Sequence, residues 1–110
     1  MKIGRRPYER YHAVILDLFG KLVTEDDRAL LLAAIQKDNT VETVLLHVEG
    51  LQDLNDHSAL MLRSLAQLLT GQNKRLVLVR PKDEVLECLK RHAGDLVRFE
   101  IVENETDAFK

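Results

Sequence analysis

Apolar runs and apolar stripes alternate along the chain. Ala13-Val14-Ile15-Leu16-Asp17-Leu18 is a β-favouring run, interrupted by Gly20 and followed by Leu22-Val23. It predicts a strand with a bend or turn at the glycine. Glu25-Asp26-Asp27 places acid where a helix dipole favours it. Ala29, Leu30, Ala33 and Ala34 then give a helical stripe, widened by Leu31, Leu32 and Ile35, with an exit at Lys37-Asp38-Asn39. Val44-Leu45-Leu46-His47-Val48 is continuous, as expected of a central strand covered on both faces. Its histidine is expected on a helix-covered face.

From Leu60 to Leu69 the helical spacing returns, with Leu62, Leu65, Ala66 and Leu69 on one face and a stop at Thr70-Gly71-Gln72-Asn73. Leu76-Val77-Leu78-Val79 is the clearest strand. Pro81 ends it and is placed to open the next helix, whose buried side is Val85, Leu86, Cys88 and Leu89. Gly94 closes that helix, and Val97 to Val102 reads as a final, more exposed strand. Glu103 to Lys110 is expected to form a short helix. The alternation predicts an α/β fold: a single mixed β-sheet flanked by helices, some strands parallel through right-handed crossovers.

Composition narrows the class without changing the fold. The 110 residues suit one domain, read as an arm at 1–12 and a domain at 13–110. The basic run Lys2-Ile3-Gly4-Arg5-Arg6 is expected to be a mobile, solvated terminus. Net charge is −2, from 16 basic and 18 acidic side chains, so no positive surplus is available for a nucleic-acid backbone. Five aromatic residues, none of them Trp, are a poor base-stacking platform. No apolar run approaches the roughly 18 residues of a membrane span, and no secretory h-region is present. The single Cys88 fits a reducing compartment, and a cytoplasmic location is expected.

Candidate chemistry concentrates in Asn55-Asp56-His57-Ser58, directly before an apolar helix. A serine triad is disfavoured, because consecutive side chains diverge and no nucleophile elbow surrounds Ser58. Metal binding would need His47, His57 and His92 to converge, and no ligand pair has helical spacing. No phosphate loop is present. No catalytic set, metal site or cofactor is therefore expected. A cap is the simplest role for Asp56 or Ser58, with Asn55 satisfying a turn backbone group. The same place, a helix start after a strand, also suits a switch or a partner contact.

The stretches AVILDLFGKLV, VETVLLHVEGLQDLNDHSALMLRSLAQLL and RLVLVRPKDEVLECLKRHAG resemble STAS domains, the family of anti-sigma-factor antagonists and of modules in sulfate transporters and stress-signalling complexes. The resemblance is one of pattern and runs from Ala13 to Ala108. In the family the central strand leads to an Asp-Ser-Ser/Thr-Gly turn whose first Ser is phosphorylated by a partner kinase. Without gaps, Asn55 falls at the family Asp, Asp56 at the phosphoacceptor, His57 at the next hydroxyl residue and Ser58 at the Gly. A one-residue slip puts Asp56 at the family Asp and His57 at the acceptor, but carries Arg63 onto an apolar helix position. Either register removes the hydroxyl from the acceptor position.

The resemblance implies a non-catalytic, protein-binding regulatory domain in signal transduction and transcription regulation, acting as a constitutive binding or scaffold subunit. The alternatives are a small-molecule or lipid-binding module and a transporter-associated subunit. The implied face is Asn55, Asp56, His57 and Ser58 with Met61, read either as an exposed apolar contact or as a core methionine, and Arg63. Implied partners are an anti-sigma-factor-like kinase, a stress-complex subunit or a transporter component, and an uncovered sheet edge would allow a homodimer. His57 would add pH sensitivity to partner binding.

Overall fold

The apolar runs become neighbouring strands in the order in which they occur. The structure, a computed structural model, describes residues 1–37, 40–52, 55–93 and 100–109. Its elements are β1 (Lys2–Tyr8), β2 (Ala13–Gly20), α1 (Glu25–Gln36), β3 (Thr43–Leu51), α2 (Asp56–Gly71), β4 (Arg75–Val79), α3 (Asp83–Ala93) and β5 (Glu100–Val102). Short 3-10 turns occupy Glu9–Tyr11 and Glu105–Phe109. The sheet order is β1-β2-β3-β4-β5. β1 is antiparallel to β2, and every later pair is parallel. The expectations placed on Asp38 and Asn39, on the closing Gly94 and on Val97 to Phe99 lie outside the described residues.

This strand order settles where the helices go. Each parallel step moves the same way across the sheet, and each right-handed crossover then puts its helix on the same face. The buried residues agree. Val14, Leu16, Leu18, Val44, Leu46, Val48, Leu76 and Leu78 form one core with Leu31 and Ile35 of α1, Leu62, Leu65 and Leu69 of α2, and Val85 and Leu89 of α3. The alternate strand positions, Ala13, Ile15, Leu45, Val77 and Val79, form a second core, joined among the described residues by the buried Ala108. The central strand β3 is covered on both faces as its apolar run predicts, but α1, α2 and α3 all lie on one of them.

The N-terminal basic run is not a solvated arm. It is the edge strand β1, in register from Lys2 opposite Phe19 to Tyr8 opposite Ala13. Arginines on its two faces hold it: Arg5 Nε donates to the Ala34 carbonyl at 3.3 Å, and Arg6 pairs with Asp17. The burial of α1 also differs from its stripe of alanines. Leu31 and Ile35 are buried, while Ala29, Leu30 and Ala33 are exposed. The bulkier residues one step round the helix bury more apolar area. Pro81 stands two residues before α3 instead of opening it.

α1 begins with a capping box. The Thr24 hydroxyl accepts from the Asp27 N–H at 3.1 Å, and the Asp27 carboxylate accepts from the N–H groups of Thr24 at 3.0 Å and Val23 at 3.1 Å. Those backbone bonds, Thr24 first, lower the Asp27 pKa from 3.8 to about 2. A carboxylate with a depressed folded pKa stabilises above its unfolded pKa, and the contribution fades as pH falls from about 4 towards 2. Thr24→Ala should cost about 1 kcal/mol in denaturant titrations at neutral pH. Asp27→Asn should flatten the stability loss between pH 4 and pH 2. An unchanged acid profile would show that Asp27 is not part of the cap.

Candidate partner-binding site

Leaving β3, the chain turns into α2 through Asn55, the N-cap. Its Oδ1 accepts from the Ser58 N–H at 2.9 Å, and Ser58 Oγ accepts from the Asn55 N–H at 3.5 Å. Ser58 also donates its hydroxyl to the Leu22 carbonyl, tying α2 to the loop after β2. The Cys88 thiol of α3 donates to the Asn55 carbonyl at 3.4 Å. The turn is thus held by α2 itself, by the loop after β2 and by α3 at once. A capping role falls to Asn55 and Ser58, whereas Asp56 occupies the first helical position. Its negative charge there suits the helix dipole.

The six residues expected at this face divide by exposure. Asn55, Asp56 and His57 are exposed, and Arg63 is half-buried. Ser58 is 1% exposed and Met61 5% exposed, so both belong to the core. Of the two placements the sequence left open for Met61, the core one is found. Its neighbour Leu60 offers the exposed apolar contact, at 46% exposure. The signal for Leu60 was its phase: it stands outside the buried stripe Leu62, Leu65 and Leu69 and four residues after Asp56, on the same side of the helix. Beside it runs an open groove of roughly 350 Å³, lined by Glu25, Arg28, His57, Leu60, Met61 and Ser64. Arg28 of α1 spans it, donating to Ser64 Oγ at 3.2 Å.

A second polar cluster lies on the sheet face opposite the helices. Arg6 donates twice to Asp17, at 2.9 and 3.1 Å, and once to Glu105 at 2.9 Å. Asp17 first, then Glu105, favour the charged guanidinium and raise its pKa against the opposing cost of burial. The same Glu105 oxygen lies 2.7 Å from His47 Nε2. His47 therefore faces away from the helices, contrary to its expected placement, and away from His57. Among the described residues no three His, Cys, Asp or Glu side chains converge as metal ligands. Sequence reasoning missed this cluster because its members lie up to 99 positions apart. The available signal was two polar residues, Asp17 and His47, in phase with the apolar Ile15 and Leu45.

Among the described residues, one mixed sheet with a monotone strand order and three helices on one face define a STAS fold. No family model matches the sequence, and no curated protein matches it. Among solved structures, the chain resembles the anti-sigma factor antagonist SpoIIAA in its unphosphorylated form, with TM-score 0.69, 17% identity, and coverage of 98% of this chain and 94% of that one. It likewise resembles SpoIIAA, a Bacillus cell fate determinant, in its phosphorylated form, with TM-score 0.65, 20% identity, and coverage of 98% and 96%. The fold expected from the sequence is the fold found. No helix among the described residues is long and apolar enough to cross a membrane.

Proposed function

We propose that this chain is a non-catalytic, protein-binding regulatory domain of the anti-sigma-factor-antagonist type, with the start of α2 as its binding face. The observation that carries this reading is the division of labour in the turn. The hydroxyl of Ser58 is buried and committed to the fold, while Asn55, Asp56, His57 and Leu60 stand outward beside an open groove. A kinase acting on Ser58 would first have to break its bonds to Leu22 and Asn55. Asp56 offers a permanent single charge in place of a removable phosphate. Binding is then constitutive, and the chain serves as a scaffold or fixed subunit.

The partner fits an anti-sigma-factor-like kinase, a stress-complex subunit or a transporter component in a cytoplasmic setting. An anchor such as Leu60 with a charged rim is the usual composition of a protein-binding patch. The groove is open, which favours a protein surface over an enclosed small molecule.

Asp56→Lys and Leu60→Glu should each keep the helical circular dichroism of the parent. Each should weaken capture of the principal cellular partner at least tenfold, whereas Arg10→Glu, on the distant 3-10 turn, should not. Intact mass after incubation with ATP and cell extract should show no added phosphate. Phosphate on Ser58, or a partner indifferent to both face variants, would sink the proposal.

A further inference from the structure

Among the described residues, a short segment at 105–109 covers part of the sheet face opposite the helices. Residues 105–109 make a single 3-10 turn that lies over the second core and contributes Ala108 to it. Phe109 stacks on Tyr11 with ring centroids 4.2 Å apart and planes 6° from parallel, and it meets Tyr8 at 5.8 Å. Polar ties fix the two ends. At the start, one Glu105 oxygen is shared by Arg6 at 2.9 Å and His47 at 2.7 Å. At the finish, Arg75 Nη1 donates to the Ala108 carbonyl at 3.0 Å, with Arg75 itself gripped twice by Glu100 at 3.0 Å.

These holds differ in kind from those of the helices. A single 3-10 turn has little internal stability, so its place depends on what it touches. Partly exposed ion pairs are weak holds. Arg6 is 51% exposed and Glu105 28% exposed, against helix anchors such as Leu62 and Ile35 at 0%. The two cores are also separate clusters, divided by the sheet. Losing one leaves the other's contacts in place. Local opening follows such divisions between cooperative units.

We propose that residues 105–109 are a detachable strap, latched by Arg6, Glu105 and His47, that lifts from the sheet while the helix-side core stays folded. Lifting uncovers an apolar surface made of Tyr8, Tyr11, Ile15, Leu45, Val77 and Val79. Of the latch residues, Glu105 alone belongs to the strap. Arg6 and His47 stand on β1 and β3, and Asp17 on β2 keeps Arg6 aimed at it. Substituting Glu105 therefore loosens the strap at its first end and leaves the Arg6–Asp17 pair intact.

The chain has no Trp, so Phe109→Trp places a sole indole fluorophore on the strap. In urea, its emission should change well before helical circular dichroism is lost. Adding Glu105→Gln should lower the emission midpoint and leave the helical midpoint in place. Without the Trp, Glu105→Gln at zero denaturant should raise binding of an apolar-surface dye severalfold with unchanged helical signal. Coincident transitions that Glu105→Gln shifts together would overturn the strap. So would dye binding equal to that of the parent, and this second measurement decides the matter if the Trp variant does not fold.

Discussion

Ser58→Asp unfolds the start of α2 instead of imitating a phosphate. The expected loss is about 3 kcal/mol at neutral pH, against about 1 kcal/mol for Ser58→Ala. The difference follows from what the site demands. Ser58 is 1% exposed, and its hydroxyl must donate to the Leu22 carbonyl. A carboxylate only accepts, so two oxygens would face each other without water between them. Asp27 stands at the same third helical position in α1 and is favourable there, because it meets N–H donors and is 17% exposed. The two capping boxes thus show that position alone does not decide whether an acid fits. Once protonated, the introduced carboxyl group could donate to Leu22, and burial raises its pKa. The variant should therefore regain stability as pH falls from 7 to 5, while the parent does not. Equal denaturation midpoints for Ser58→Asp and Ser58→Ala at pH 7 would refute the burial argument.

That result bears directly on function. In a switchable antagonist the acceptor hydroxyl has to be both reachable and dispensable for folding. Here the turn's single hydroxyl is not reachable, being buried and bonded to Leu22 and Asn55, and the charge at Asp56 is built in. The chain has the fold of SpoIIAA, and on the proposed reading its binding through this turn is constitutive. A partner would then be regulated by the amount of this protein, or through another surface such as the strapped sheet face.

The legible parts of the sequence were those where one residue's environment is set by its near neighbours. The runs at 13–18, 44–48 and 76–79 became β2, β3 and β4, and the stripe of Leu62, Leu65 and Leu69 became the buried side of α2. β1 was hidden because an edge strand is held by hydrogen bonds and ion pairs more than by buried apolar area. Its charges read as solvated until Asp17 and the Ala34 carbonyl are placed beside them. The single helix layer was hidden because it depends on strand order, which periodicity does not encode. In the site, the polar tetrapeptide marked the helix start correctly. Which of its members turn inward depended on Leu22 and Cys88, 36 and 33 positions away from their partners in the turn. The exposure of Leu60 and the burial of Met61 were undecided for the same reason: both are set by how α2 sits against its neighbours.

Gly50→Ala should lower stability by about 2 kcal/mol, or roughly 10 °C in Tm for a domain of this size. Gly50 lies inside β3, one residue before the strand's end at Leu51. Register shifts there: Asp17 pairs with His47, yet Phe19 pairs with Gly50, so β3 carries an extra residue. The bulge brings Gly50 against β2. A Cβ at Gly50 would stand 2.6 Å from the Leu18 carbonyl oxygen and 2.7 Å from the Phe19 ring. The ring can move, since Phe19 is 53% exposed, but the carbonyl belongs to the sheet backbone. Gly→Ala also restricts the unfolded chain, which recovers about 0.5–1 kcal/mol and keeps the net cost moderate. The double variant Phe19→Ala with Gly50→Ala separates the two contacts. Measured against Phe19→Ala alone, it should retain more than half of the Gly50→Ala cost, because the Leu18 oxygen stays in place. The strain should also reach the site, since β3 delivers the chain to Asn55 within five residues of Gly50. Partner affinity should fall along with Tm. A Gly50→Ala protein as stable as the parent would mean that the bulge has room the sheet geometry denies it.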